Sequence, residues 1–167
     1  MDAIKTIVEQ LDLKPHPEGG YFKETYRSTG CIKQDSLDTE YKGQRNYSTC
    51  IYFLLTSENF SALHRIKQDE IWHFYQGSPI RLHMISNDGI HSEHLIGNNL
   101  SKGEAPQFVV PGGYWFAAEV LGKDTYALVG CTVSPGFSFE DFELKSRQEL
   151  MELFPHLENT ITKLTHH

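Results

Sequence analysis

Glu70 to Ile96 runs EIWHFYQGSPIRLHMISNDGIHSEHLI, a stretch that divides itself into three strands and two tight turns. Glu70 to Tyr75, Ile80 to Ser86 and Ile90 to Ile96 are rich in β-branched and aromatic residues, which suit a pleated, half-buried surface. Gln76-Gly77-Ser78-Pro79 and Asn87-Asp88-Gly89 separate them, and Asn-Asp-Gly between two such runs is hairpin chemistry. The same rhythm extends outward in both directions. Upstream, Tyr21 to Ser28, Asn46 to Leu55 and Ser57 to Lys67 read as strands; downstream, so do Gln107 to Val110, Tyr114 to Ala118 and Tyr126 to Val133. Pro111-Gly112-Gly113 and Leu121-Gly122-Lys123-Asp124 punctuate the later ones. About nine short strands at this spacing predict an all-β sandwich or barrel.

The ends differ from the middle. Ile4, Ile7, Val8 and Leu11 line one face of a helix over Asp2 to Leu13, and Lys14 to Gly20 then breaks regular structure with two prolines and paired glycines. Leu150, Leu153, Phe154 and Leu157 share a face of a C-terminal helix that Pro155 interrupts. Thr29 to Gln44 reads as a long loop. With 167 residues, 39% of them apolar, the chain is expected to form a single domain over residues 1–167. Such a domain buries roughly 70% of its unfolded surface without needing disulfides or a structural metal.

Charge and cysteine usage exclude several classes. A net charge of −7, with 15 basic residues scattered among 22 acids, predicts no nucleic-acid partner. No apolar run approaches the roughly 20 residues a membrane helix needs, and no signal peptide opens the chain, so no membrane association is expected. Cys31, Cys50 and Cys131 are odd in number and form no Cys-x-x-Cys pair, which suits a reducing, cytoplasmic setting. Cys50 and Cys131 read as small buried hydrophobes.

His64, Glu70 and Gly77 fall at the spacings of the first cupin motif, and Pro111 and Gly113 at those of the second. The chain therefore resembles the cupins, RmlC-like jelly-roll barrels. It departs from them at Ile66 and Phe116, where two further histidines of the usual metal set would stand, and at Glu58, Ala105 and Val120. A closer similarity, over nearly the whole chain, is to a small subfamily long catalogued as a domain of unknown function, the fifth cupin family. It rests on His16-Pro17-Glu18-Gly19-Gly20-Tyr21, on His64-Arg65 with Asp69-Glu70-x-Trp72-His73 and Gly77, on Val110-Pro111-x-Gly113-x-Trp115, and on Pro135-Gly136-Phe137. The resemblance implies a barrel with a central cavity, homodimers and no agreed reaction.

Strand alternation places side chains independently of the family. Glu70, Trp72 and Phe74 share one face and Ile71, His73 and Tyr75 the other; Tyr114, Phe116 and Ala118 oppose Trp115 and Glu119. If His64 and Glu70 face inward, they form a polar pair in an aromatic, apolar cavity, the composition of a small-molecule pocket. The candidate catalytic residues are His64 and Glu70. The candidate ligand-binding residues are Glu18, Tyr21, Tyr52, Trp72, Phe74, Tyr114 and Phe116. A carboxylate beside His64 should fix its tautomer, raise its pKa and make it a general acid or base.

Three functions stay open on the sequence. The first is a metal-independent isomerase or epimerase acting on a sugar-like or other small polar metabolite, as sugar-nucleotide epimerases of this barrel do. The second is a metal-dependent dioxygenase or isomerase in which His64 and Glu70 hold a divalent ion with a borrowed third ligand from His73, Tyr52, Glu18 or Glu24. The third is a noncatalytic dimeric binding module. No cofactor is required by the first and third. Arg65 is expected in a surface or interface salt bridge, Trp115 and Pro135 to Phe142 in core or dimer packing, and His166-His167 in a disordered tail.

Overall fold

The structure is a computed structural model describing residues 2–166. Its strands are β1 (Lys14–Pro15), β2 (Tyr21–Arg27), β3 (Cys31–Ile32), β4 (Arg45–Asn46), β5 (Thr49–Thr56), β6 (Phe60–Arg65), β7 (Glu70–Gly77), β8 (Ile80–Ile85), β9 (His91–Ile96), β10 (Gln107–Val110), β11 (Trp115–Val120), β12 (Tyr126–Val133) and β13 (Glu143–Leu144). The helices are α1 (Asp2–Gln10), α2 (Arg147–Leu153) and α3 (Glu158–Lys163). Two antiparallel sheets pack face to face, one in the order β1-β2-β5-β12-β7-β10 and the other β13-β6-β11-β8-β9, with β3-β4 as a separate ribbon. This is the jelly-roll architecture expected from the strand pattern.

Alternation sorts the side chains into three layers. Phe53, Leu55, Trp72, Leu82, Met84, Phe116, Ala118, Val129 and Cys131 point between the sheets and form the central core. Their neighbours point out. Leu54 and Leu128 pack beneath α1 through its Ile4, Ile7 and Val8, while Leu63, Ile85 and Trp115 pack beneath the C-terminal helices through Leu150, Ile161 and Leu164. Complete burial of a ring such as Trp72 or Phe116 is worth about 1.5–3 kcal/mol.

Several boundaries move for identifiable reasons. The first helix ends at Gln10 because Asp12 takes a left-handed conformation (φ 53°), which turns the buried Leu13 under the sheet. Lys14 to Gly20, expected to be irregular, opens as a strand: Lys14 pairs with Phe22 and Pro15 with Tyr21. The expected strand from Ser57 to Lys67 is β6 alone, preceded by a turn. Pro155 does divide the C-terminal helix, but Leu153 is exposed and Ile161 and Leu164 fill the apolar face instead. No helix among the described residues is long and apolar enough to cross a membrane.

Gly77 closes β7 with φ 103°, and a Cβ there would overlap the Tyr126 carbonyl oxygen. Both constraints demand glycine. Gly77→Ala should cost about 1–3 kcal/mol, read as a lower urea midpoint at unchanged slope; an unchanged midpoint would show that the turn relaxes freely.

Candidate functional site

A cavity of about 110 Å³ opens between the sheets at one end of the barrel. His64 reaches it from β6, Glu70 from β7, Ile51 and Phe53 from β5, and Cys131 and Val133 from β12. The irregular backbone after β1 lays His16 and Glu18 across it, and Phe137, Phe139 and Phe142 cover it from the segment after β12. At the mouth Arg27 donates to Glu24 (2.6 Å), to the Asn46 side-chain oxygen (2.8 Å) and to the Phe137 carbonyl (3.0 Å). Arg27 thus ties β2 to the aromatic cover.

The loop carrying Glu18 is fixed by backbone bonds. The His16 amide donates to the Gly20 carbonyl (2.9 Å), the Ala62 amide donates to the Glu18 carbonyl (2.8 Å), and His166 Nε2 lies 3.1 Å from the same carbonyl while its ring stacks on Phe60 at 4.2 Å. Gly19 has φ 113°, and a Cβ on it would overlap the Phe60 carbonyl, so the close approach of this loop to β6 needs glycine.

Inside the cavity His64 Nδ1 lies 2.7 Å from the Ala62 carbonyl, which can only accept. Nδ1 therefore carries the proton, and the neutral ring presents a bare Nε2 to the cavity. Glu18 Oε2 stands 3.0 Å from that Nε2, and the Ser61 hydroxyl donates to Glu18 Oε1 (3.0 Å). Oε2 sits off the line a good hydrogen bond requires and has no other partner, so a buried carboxyl oxygen faces both the histidine and the cavity.

Burial dominates the protonation of this set. It holds His64 down to about 3 and His16 to about 4, and raises Glu70 to about 7. Glu18 is driven well above the ordinary carboxylate range by burial and then by the charge of Glu70. At neutral pH the site holds neutral imidazoles and Glu70 near its midpoint, while burial biases Glu18 toward its protonated form. The expectation that a carboxylate raises the His64 pKa is corrected: desolvation by burial dominates and lowers it. Both histidines titrate lower when folded than unfolded, so their contribution to stability is complete above about pH 6.5 and lost as pH falls toward 4 and 3. The melting temperature should drop over that window, and His16→Gln should flatten the drop; equal slopes would mean that His16 titrates normally.

The candidate residues separate into groups. His64, Glu70 and Glu18 share the cavity, but the partner of His64 is Glu18 and not Glu70. Trp72 and Phe116 are 1% exposed and belong to the central core, where the Phe116 ring stands 4.1 Å from that of His64 without lining the cavity. Phe74 and Tyr114 pack against the core without lining the cavity. Tyr21 and Tyr52 are corrections: their alternation turns them onto the outer face beneath α1. The three phenylalanines of Pro135 to Phe142, expected in core or dimer packing, cover the cavity. Cys50 is half-buried rather than buried, and His166 is docked rather than disordered; His167 lies outside the described residues. His16 went unnamed as a site residue, although the His-Pro-Glu-Gly-Gly run placed it two positions from Glu18.

The usual cupin metal set does not fit here. Ile66 and Phe116 fill two ligand positions with buried apolar groups, and one nitrogen of His64 is held by the Ala62 carbonyl. Among the described residues, no three cavity side chains bring ligand atoms within 4.8 Å of one another. His73 and Tyr52, considered as third ligands, face away, with His73 Nε2 3.0 Å from the Thr132 hydroxyl.

The sequence profile of the family described as Cupin superfamily (DUF985) matches residues 5–145. Uncharacterized protein YML079W of Saccharomyces cerevisiae is 32% identical over 160 residues, covering 90% of this chain and 80% of its own. A hypothetical protein from Leishmania major superposes with a TM-score of 0.88 at 36% identity, covering 98% of both chains. Protein SO0799 of Shewanella oneidensis does so at 0.86 and 36%, covering 97% of this chain and 96% of its own. Oxalate decarboxylase from Bacillus subtilis shares the fold alone, with a TM-score of 0.56 at 15% identity over 92% of this chain and 37% of its own.

Proposed function

The chain belongs to the cupin family described as DUF985, and on that footing we propose that its barrel pocket binds a small polar metabolite and moves a proton on it, as a metal-independent acid/base isomerase or epimerase. The observation that carries this is the Glu18 and His64 pair, with a carboxyl oxygen 3.0 Å from a bare imidazole nitrogen in a cavity between the two sheets. His64 Nε2 takes the proton from a carbon next to a carbonyl group, and the negative charge that develops on the substrate beside it stabilises the imidazolium that forms. Glu18, biased by burial toward its protonated form, is the acid that donates to the carbonyl oxygen as charge develops there. Glu70, titrating near 7, can return a proton to carbon from another strand and so from a different direction. Proton loss and proton return balance, and no oxidant is consumed.

Sugar-like carbonyl compounds are the first class to test, because the phenylalanine cover offers apolar faces and the walls offer donors and acceptors at His16, Glu18, His64 and Glu70. Chelator-treated protein would be incubated in D2O with a panel of sugars, sugar phosphates and keto acids, and deuterium incorporation followed by NMR. Exchange beside the carbonyl of one class, unaffected by chelation and lost in His64→Ala, is expected. Exchange that needs added metal or survives His64→Ala would overturn the mechanism; tight binding without any exchange would assign a binding module.

A further inference from the structure

A second cluster lies outside the barrel. β8 and β9 form the edge of the second sheet, and on its outer face His83 sits directly across from Glu93, with His91 diagonal to it. His83 Nδ1 is 3.1 Å from His91 Nε2 and 3.6 Å from Glu93 Oε1, and the three ligand atoms all lie within 4.8 Å of one another. Ligands about 2.0–2.2 Å from a tetrahedral zinc stand roughly 3.3–3.6 Å apart, so the two separations from His83 lie close to the edges of such a site.

His83 supplies the independent observation. It is 2% exposed, and its Nε2 is buried without a hydrogen bond although Glu119 Oε2 lies 3.4 Å away. In the absence of a cation, the near-parallel His83 and His91 rings share one proton between Nδ1 and Nε2. With that proton on His83 Nδ1, a bare Nε2 points at a carboxylate and satisfies neither group; with it on His91, His83 Nε2 carries a proton toward Glu119 without the alignment of a hydrogen bond. A cation on Nδ1 removes the conflict. The proton moves to Nε2 and donates to Glu119, giving the carboxylate–histidine–metal arrangement that orients a ligating imidazole. Glu119 is held for that role by Lys163 (3.1 Å) and Arg81 (3.5 Å), while Arg81 also faces the second oxygen of Glu93 (3.6 Å). Binding asks only that the half-exposed His91 and the exposed Glu93 rotate on an edge strand.

We propose that His83, His91 and Glu93 form a site for a divalent transition cation of the zinc class on the outer face of the barrel, with Glu119 orienting His83 and an open coordination position toward solvent. Two imidazoles and one carboxylate select zinc-like ions over magnesium or calcium. This site stands apart from the barrel pocket and does not depend on the function proposed for it.

Zinc is the probe. Calorimetric titration of chelator-treated, untagged protein should show one equivalent bound. His91→Ala and Glu93→Gln should each weaken binding at least about tenfold, and Glu119→Gln about ten- to hundredfold. His64→Ala and a variant lacking residues 166 and 167 should bind as the wild type does. A zinc-dependent rise in melting temperature, present in the wild type and absent in His91→Ala, gives a second readout, and the zinc-free melting temperature shows that the variant is folded. Wild type that binds no zinc, His91→Ala that binds normally, or binding lost in His64→Ala or in the shortened chain would each overturn the assignment.

Discussion

Glu18→Gln is expected to abolish proton exchange while leaving the protein as stable as before, or more so above pH 7. Glutamine keeps the size of the side chain and the contact with Ser61, but it cannot give up a proton. General acid–base groups contribute typically 10²–10⁴-fold, so a loss of that order in turnover is expected with little change in binding. Stability moves the other way. The folded pKa of Glu18 is raised, so its contribution is complete below the unfolded value and is lost as pH rises through the folded one. At alkaline pH the native protein must either keep a proton on Glu18 or ionise it in a buried site, a cost that glutamine removes. A melting curve at pH 8 beside an exchange assay tests both halves together. Lower stability with retained exchange would make Glu18 a structural residue and would leave the proton chemistry to Glu70.

Arg45→Met should be the most destabilising single change outside the hydrophobic core. Arg45 is buried and donates through Nε and Nη2 to the two oxygens of Asp141, each at 2.8 Å, and Gln68 adds a third bond of 2.8 Å to the same carboxylate. Burial would raise the Asp141 pKa, but the bonds from Arg45 and Gln68 outweigh it and hold it below the ordinary value. That contribution is present above the unfolded pKa and lost as acid protonates Asp141. Removing the guanidinium leaves a buried carboxylate facing only Gln68 and Lys67, the latter at 3.8 Å, and costs about 3–5 kcal/mol. Arg45→Met with Asp141→Leu should recover most of the loss, because apolar replacement of both partners of a buried pair is often neutral. Denaturant midpoints for the two single variants and the double variant decide this. A cost below about 1 kcal/mol for Arg45→Met would place the pair among solvent-screened ion pairs. Since Asp141 closes the turn that carries Phe139 and Phe142, the single variant should also loosen the cavity cover.

The strand order could be anticipated because alternation and turn chemistry are local signals. Glu70, Trp72 and Phe74 do share the inner face, and Phe116 does oppose Trp115 across its strand. The partner of His64 could not be read in this way. Glu18 lies outside the strands, on a loop whose course is set by Gly19 approaching β6, by the Ala62 amide and by His166 near the other end of the chain. Those are long-range contacts without a periodic trace. Tyr21 and Tyr52 show the converse failure. Both are aromatic and both lie in strands that line the cavity, but a shift of one residue along a strand sends a side chain to the opposite face, and only packing under α1 fixed which face was theirs. The His83 cluster was equally hidden, since a histidine on β8 finds its partners across a hairpin rather than along the chain.

The cavity draws its walls from residues as far apart as His16 and Phe142 and from strands of both sheets. No separately folding piece of the chain could contain it, so the site exists only in the folded barrel. Occupancy would then couple fully to the melting transition, with a ligand at a hundred times its dissociation constant adding about 2.7 kcal/mol. A library could be screened against this protein by heat alone, before anyone knows what reaction to look for.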